Sequence, residues 1–218
     1  MPRWITTLLF TLIVILIPPL LVLTNVFGIL TPNWIAYQYS QPNFPPAFTF
    51  DAKSRLSNAS ESLEYVAGNR TYEQFKALGV YDERELSHMV DVRVVIANMR
   101  VFWAIGGIFV IAALVVLGRD QTTRRLAAQS LVRGAIVTIA LFIGVGIFAT
   151  VGFNQFFIFF HSLFFQGDSW LFNITDALIQ FYPLPFWITT TMTLVGITVV
   201  QAILLGALGW WWERKIQK

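Results

Sequence analysis

Hydrophobic residues are concentrated in four long segments of the chain, separated by more polar stretches. The segments span residues 4–30, 94–118, 134–153 and 186–212. A helix needs about 20 mostly apolar residues to cross roughly 30 Å of hydrocarbon, and each segment reaches that length. The pattern therefore predicts an all-α integral membrane protein with four transmembrane helices.

The first hydrophobic segment has two distinguishing features. It is too long for the apolar core of a signal peptide and lacks a small-residue cleavage site, so we expect a retained span. Pro18 and Pro19 lie near its middle. Because proline lacks a backbone donor and clashes with the preceding turn, the pair predicts a kink or a break in this helix.

The polar region, residues 31–93, carries the sequence signals of short helices. The first is an amphipathic segment from Asp51 to Val66. The second is a capping box at Thr71–Gln74, whose helix ends at Gly79. The third is a capping box in which Asp82 is the N-cap and Glu85 its partner. We expect the last of these helices to continue directly into the second span.

The parts of the chain between the later spans are shorter. Residues 119–133 predict a loop that carries four arginines. Residues 154–185 combine an aromatic tract, a tight turn at 166–168 and a short interfacial helix over 173–182, which two prolines end. We expect residues 1–218 to form a single membrane domain, with 31–93 and 154–185 as its extracytoplasmic regions.

The distribution of charge predicts the orientation in the membrane. The chain ends and the 119–133 loop hold eight basic residues and two acidic ones, whereas the regions on the opposite side hold seven basic and ten acidic residues. Basic residues are enriched in short cytoplasmic loops. The pattern therefore predicts a multi-pass protein of the cell membrane with both termini in the cytoplasm.

Composition narrows the chemistry that is available. Hydrophobic residues make up 56% of the chain and charged residues 12%, and there is no cysteine. The absence of cysteine excludes disulfides, thiolate zinc sites and a thioester intermediate on the protein. The chain has only two histidines, so any histidine chemistry depends on His88 and His161.

The first candidate site is the segment Leu86–Arg93. On a helix, His88 and Asp91 are neighbours at positions i and i+3, and the aspartate could orient the imidazole. Arg93 and Arg100 lie at the outer end of a span, where basic residues are disfavoured, so a phosphate or carboxylate partner would explain them. The structural alternative is a histidine at a helix entry beside a surface salt bridge.

The second candidate site is the segment Phe159–Trp170. His161 lies among phenylalanines, and burial there should keep its imidazole neutral and able to act as a base. Asp168 follows a glycine in the predicted turn, and Trp170 comes two residues later. The alternatives are a histidine that only bonds a backbone carbonyl and an aspartate that only forms the turn.

Other functions are compatible with parts of the pattern. Two histidines in a four-helix membrane protein permit a bis-histidine haem site, and two histidines with an aspartate permit a metal site. The mixed-charge region 51–85 permits a non-catalytic interaction protein. The sequence has no nucleophile elbow, Walker loop, zinc-protease motif or dinucleotide fingerprint.

The two candidate segments resemble motifs of the bacterial lipoprotein intramolecular transacylase family. The matching residues are His88-Met89-x-Asp91-Val92-Arg93 and Phe160-His161-x-x-Phe164-Phe165, followed by Asp168-x-Trp170. The resemblance covers nearly the whole chain, including its four spans and two outer regions. Residues 51–80 show no confident match.

The resemblance implies a membrane acyltransferase. The expected substrate is a diacylated lipoprotein in the membrane lipid, and the expected reaction moves the sn-2 acyl chain onto the α-amino group of the N-terminal cysteine. No cofactor, metal or nucleic acid is implied. Catalysis would fall to His161 as base, His88 as its partner and Asp91 as orienter, and substrate binding to Arg93, Arg100, Asp168 and Trp170.

Overall fold

The computed structural model describes residues 1–217; Lys218, one of the basic residues counted at the chain ends, lies outside them. The described residues form helices joined by turns and loops, so the all-α prediction is confirmed. In chain order the helices are α1 (Arg3–Ile29), α2 (Pro32–Tyr39), α3 (Ala52–Ala67), α4 (Tyr72–Lys76), α5 (Glu83–Arg119), α6 (Arg124–Val151), α7 (Phe153–Phe164), α8 (Ala177–Phe181) and α9 (Leu184–Ile216).

Four of these helices, α1, α5, α6 and α9, are long and apolar enough to cross a membrane. Each contains an 18-residue stretch with a mean hydropathy of 2.0 or more. The predicted four transmembrane helices are therefore confirmed, and the protein is a multi-pass membrane protein. In hydrocarbon only an unbroken helix satisfies its own backbone hydrogen bonds.

The sequence was a less accurate guide to where some helices begin and end. Pro18 and Pro19 were predicted to kink or break the first helix; the break does not occur, because α1 continues through both. The predicted loop 119–133 is mostly helix, since α6 begins at Arg124. The predicted helix 173–182 is reduced to α8, because Asn173–Asp176 forms a turn in which the Asp176 carboxylate accepts a 2.7 Å bond from the Asn173 amide.

The two capping signals predicted in the polar region are confirmed. Thr71 and Gln74 form the predicted capping box on α4. Asp51, for which no cap was predicted, caps α3 by accepting bonds from the Lys53 and Ser54 amides. The carboxylates of Asp82 and Glu85 each accept a bond from the other residue's amide, at 2.8 and 3.0 Å. α5 then runs without interruption from this box into the second span.

The chain folds as two compact units. The first unit comprises Met1–Asn25, Arg100–Ile147 and the chain from Thr193 on, and the second comprises Val26–Met99 and Phe148–Met192. The regions 31–93 and 154–185, far apart in the sequence, thus belong to the same unit.

The first unit packs closely through small and branched residues. Ile13, Ile17 and Leu117 are buried in its core, and a Cβ on Gly134 would come within 2.3 Å of Ile17. Asn25 donates 2.9 Å bonds to the side chains of Thr198 and Gln201, which satisfies a polar group inside the apolar unit.

The second unit has an aromatic core, and a few buried polar residues fix α8 within it. Ile35, Tyr65, Phe75 and Phe181 are almost completely buried there. The Glu85 carboxylate, besides closing its capping box, accepts a 2.8 Å bond from the Leu178 amide in the first turn of α8. The same carboxylate therefore joins the start of α5 to α8.

Candidate active site

The fold brings the two histidines together. His88 lies on α5 and His161 on α7, with ring centroids 6.4 Å apart and planes inclined by 26°. Both are buried, with 7% and 9% of their surfaces exposed. The two segments selected from the sequence therefore form one site within the second unit.

The hydrogen bond of His161 determines which of its ring nitrogens can act as a base. Nδ1 lies 2.8 Å from the carbonyl oxygen of Phe157, one helical turn earlier in α7. A carbonyl only accepts, so Nδ1 must carry the hydrogen, and the neutral ring keeps its lone pair on Nε2. Burial lowers the pKa of His161, while the bond to Phe157 acts in the opposite direction. The geometry thus provides a neutral imidazole with a basic Nε2.

Aromatic side chains form the walls around both histidines. Phe165 contacts both rings, at centroid distances of 4.9 Å to His88 and 5.7 Å to His161. Phe172 lies against His88 at 5.4 Å, and Trp170 stacks on His161 at 4.8 Å. Gly167, with φ at +59°, allows the tight turn after α7 that precedes Trp170. Trp170, a substrate-binding candidate from the sequence, thus lies beside His161, and its role in binding stays a prediction.

Two buried nitrogen atoms at this site have no hydrogen-bond partner among residues 1–217. They are Nδ1 of His88 and Nε1 of Trp170. Leaving a buried polar group unpaired costs about 1–3 kcal/mol, so such groups are rare and each one calls for an explanation. Both flank His161, which marks this place as one where a polar substrate group can be held.

Asp91 does not orient His88 as the sequence suggested. No hydrogen bond joins its carboxylate to Nδ1 of His88, which is unpaired within the described residues. Three residues along a helix is about 300° of rotation, and while His88 faces the interior, Asp91 is exposed. Asp91 instead lines a cavity of about 420 Å³. Its other lining residues are Val94, Val95, Phe164, Phe165, Gln166 and Ser169.

The remaining predicted site residues lie in different surroundings. Arg93 donates a 2.7 Å bond to the Arg70 carbonyl, and its guanidinium lies 4.6 Å from the Tyr65 ring centroid, which gives it a structural role in the second unit. Arg100 belongs to the first unit. Asp168 is exposed in the turn, where its carbonyl accepts a 3.1 Å bond from Leu171. Substrate binding by these three residues stays a prediction.

Sequence reasoning missed several residues of the site. Phe165 was recognised only as part of a motif, and Phe172 was not singled out. The Phe157 carbonyl, which sets the tautomer of His161, was also missed, although its position one helical turn earlier is a signal that helix periodicity could have supplied. Within residues 1–217 no three histidine or acidic side chains lie close enough to hold a metal ion.

Comparison with known proteins identifies the family of the chain. Residues 8–187 match the family described as lipoprotein intramolecular transacylase, Lit. An uncharacterised protein of Aquifex aeolicus (strain VF5) is 26% identical over 187 residues, covering 79% of this chain and 80% of that protein.

Solved structures show the same fold. The membrane-integral lipoprotein intramolecular transacylase of Bacillus cereus is 16% identical and covers 98% of both chains, with a TM-score of 0.71. A variant of that enzyme with one histidine replaced by alanine superposes with a TM-score of 0.75, over 98% of this chain and 96% of the other. Since the family match extends over most of the sequence, the chain belongs to the lipoprotein intramolecular transacylase family and is a membrane acyltransferase that acts on lipoproteins.

Proposed function

We propose that the protein moves the sn-2 acyl chain of a diacylglyceryl-cysteine lipoprotein onto the α-amino group of the same cysteine, and that His161 is the base. The observation that carries this proposal is the buried pair of histidines, in which the Phe157 carbonyl leaves Nε2 of His161 as the basic atom. The product is an N-acylated lipoprotein with a free sn-2 hydroxyl.

The reaction needs only proton transfer and orientation. The amine nitrogen attacks the sn-2 ester carbonyl and gives a proton to Nε2 of His161 as the carbon–nitrogen bond forms. The carbon–oxygen bond to glycerol then breaks, and the departing oxygen takes a proton back from the histidine pair. Atoms and charge balance without an external reactant, and positioned acid–base groups of this kind contribute about 10² to 10⁴-fold in rate.

Amine and ester belong to one molecule, so the protein's main task is to fold the substrate into the reactive geometry. Good intramolecular orientation is worth about 7–11 kcal/mol. The half-buried Phe165 and Phe172 and the buried Trp170 cover the histidines and limit the access of water to the ester, which favours aminolysis over hydrolysis.

The cavity beside the histidines suits the polar end of the lipopeptide. Phe165 both lines this cavity and contacts His88 and His161, so the cavity adjoins the reacting groups. The α-amino group has a pKa of about 7.7–8.0 and arrives largely as ammonium at neutral pH. In this proposal the Asp91 carboxylate attracts the ammonium into the cavity, where the ammonium first loses one proton to solvent. The resulting neutral amine attacks the ester and gives a second proton to His161.

The experiment that tests the function is mass spectrometry of a synthetic diacylated lipopeptide incubated with the purified protein. We expect an acyl chain to move from glycerol to the amine at constant mass, which fragmentation of the peptide resolves. Loss of one acyl chain, or an unchanged lipopeptide, would refute the proposed reaction.

The histidine roles are tested by single substitutions. His161→Gln should reduce acyl transfer at least about 100-fold, because glutamine cannot take a proton, and His88→Gln should reduce it substantially. Ser162→Ala is the matched control, since Ser162 is the adjacent residue of α7 and its exposed hydroxyl bonds only the Phe159 carbonyl at 2.7 Å.

The same three variants distinguish a base from a serine nucleophile. Full activity in His161→Gln would eliminate the proposed base. Loss of activity in Ser162→Ala, with the histidine variants active, would point to an acyl-serine intermediate instead.

A further inference from the structure

Trp170 has a buried indole N–H without a protein partner beside the proposed base. Its side chain is 8% exposed, and Nε1 is one of the unpaired buried nitrogens among residues 1–217. Its ring lies 4.8 Å from that of His161 at an interplanar angle of 29°. Phe157 packs edge-on against it at 6.2 Å, so the aromatic ring, though not the N–H, is fully accommodated by α7.

Trp34 differs from Trp170 in that its indole N–H has a hydrogen-bond partner within the protein. In the same unit, Nε1 of Trp34 donates a 3.0 Å bond to the Thr190 hydroxyl. A phenylalanine at position 170 could fill the stacking position without burying an unpaired donor, which costs about 1–3 kcal/mol. A tryptophan whose donor has no partner in the fold is therefore suited to a partner that arrives with the substrate.

We propose that the Trp170 indole N–H donates a hydrogen bond to the sn-2 ester carbonyl oxygen and stabilises the negative charge that develops there. The proposal rests on the proposed function, because the carbonyl must lie next to Nε2 of His161 for the amine to attack it. As the carbon–nitrogen bond forms, the carbonyl π electrons move onto the oxygen. They return when the bond to the glycerol oxygen breaks, and the indole keeps its proton throughout.

The chemistry of the two side chains is complementary. A histidine that takes a proton from the amine does not stabilise the carbonyl oxygen, where negative charge accumulates. A fixed neutral donor in a water-poor aromatic site stabilises that charge without reorganisation, and removal of one such donor typically costs about 10² to 10³-fold in kcat. The indole is a donor only, so it cannot compete with Nε2 for the proton.

The test replaces each tryptophan by phenylalanine in the full-length protein and measures lipopeptide acyl transfer together with thermal unfolding. Trp170→Phe should lower kcat by about 100-fold, with KM within about threefold and an unchanged melting temperature. Trp34→Phe is the matched control: it should lower the melting temperature, because the Thr190 hydroxyl loses its partner, and leave kcat near the wild-type value.

A second variant covers a change in packing. If Trp170→Phe lowers the melting temperature, 3-benzothienylalanine at position 170 keeps the two-ring shape and lacks only the N–H, and the same loss of kcat is expected. A folded variant of either kind with wild-type kcat, or with only KM raised, overturns the role of Trp170 while the transacylase proposal stands. If wild-type protein itself leaves the lipopeptide unchanged, the proposed function fails first.

Discussion

At the scale of single residues, the site is specified by what surrounds His161 rather than by the histidine alone. Its Nδ1 is committed to the Phe157 carbonyl at 2.8 Å, and Trp170 and Phe165 cover its ring. The first contact fixes the tautomer and the others keep the ring neutral by excluding water. A histidine on an exposed helix face would have neither property.

This environment makes a prediction about pH. Burial lowers the pKa of His161 below its ordinary value of 6.5, so the neutral base is lost only in more acidic solution. The substrate amine, with a pKa of about 7.7–8.0, must be unprotonated to attack. The logarithm of the single-turnover rate should therefore rise with pH up to about pH 8, with a slope of one. On the acid side, the rate should fall more steeply only below the ordinary pKa of histidine, where His161 also becomes protonated.

The profile is measured by quenching lipopeptide reactions between about pH 5 and 9 and fitting both slopes. In His161→Gln, the residual rate should still rise with pH as the substrate amine loses its proton. The steeper fall at acid pH, which reports protonation of His161, should disappear. A steep slope with its midpoint at or above 6.5 in the wild-type enzyme would contradict a buried, neutral His161.

The sequence predicted which residues to consider more reliably than it predicted the contacts that those residues make. The chain has only two histidines, so composition alone selected His88 and His161. Spacing along a helix did not predict which way Asp91 faces, because a position at i+3 lies about 60° away from its neighbour. Similarly, the half-buried position of Arg93 depends on Tyr65 and Arg70, which come from another part of the chain.

At the scale of elements, the hydrophobic pattern predicted the spans and the caps predicted the start of α4 and α5. The errors occurred where tertiary contacts decide. Backbone N–H and C=O groups find no hydrogen-bond partners in hydrocarbon, so breaking the helix there is unfavourable. α1 accordingly stays helical through Pro18 and Pro19. α8 is only five residues long and cannot be stable by itself, so its limits depend on what holds it.

Arg55 is one of the residues that hold α8, and its loss should destabilise the second unit. It is 4% exposed, its guanidinium lies against the rings of both Tyr39 and Phe44, and it donates to the carbonyls of Pro45 and Gln180. Arg55→Met fills a similar volume but leaves both carbonyls unpaired. We expect the free energy of unfolding to fall by about 1–3 kcal/mol.

Thermal unfolding in detergent measures this effect, and Lys53→Met is the control because Lys53 is an exposed basic residue on the same helix. Equal melting temperatures for Arg55→Met and the wild type would show that α8 is held mainly by the Glu85 carboxylate and by apolar packing.

At the scale of the whole molecule, the charge pattern and the two-unit organisation support one orientation. The regions 31–93 and 154–185 belong to one unit, and the proposed base lies within it. The chain ends and residues 119–133 carry the excess of positive charge, which favours the cytoplasm for them. We therefore expect the histidine site to face the extracytoplasmic side, with both termini in the cytoplasm.

The natural absence of cysteine makes this orientation directly measurable, because single cysteines can be introduced without a background signal. Glu73→Cys lies at an exposed position of α4, and Gln121→Cys at an exposed position between α5 and α6. In right-side-out spheroplasts, a membrane-impermeant maleimide should label the first variant and not the second. Inverted vesicles should give the opposite result, and solubilised protein should be labelled at both positions. The reverse pattern, in variants that retain acyl transfer, would place the site on the cytoplasmic side and require lipoprotein substrates that are presented from that leaflet.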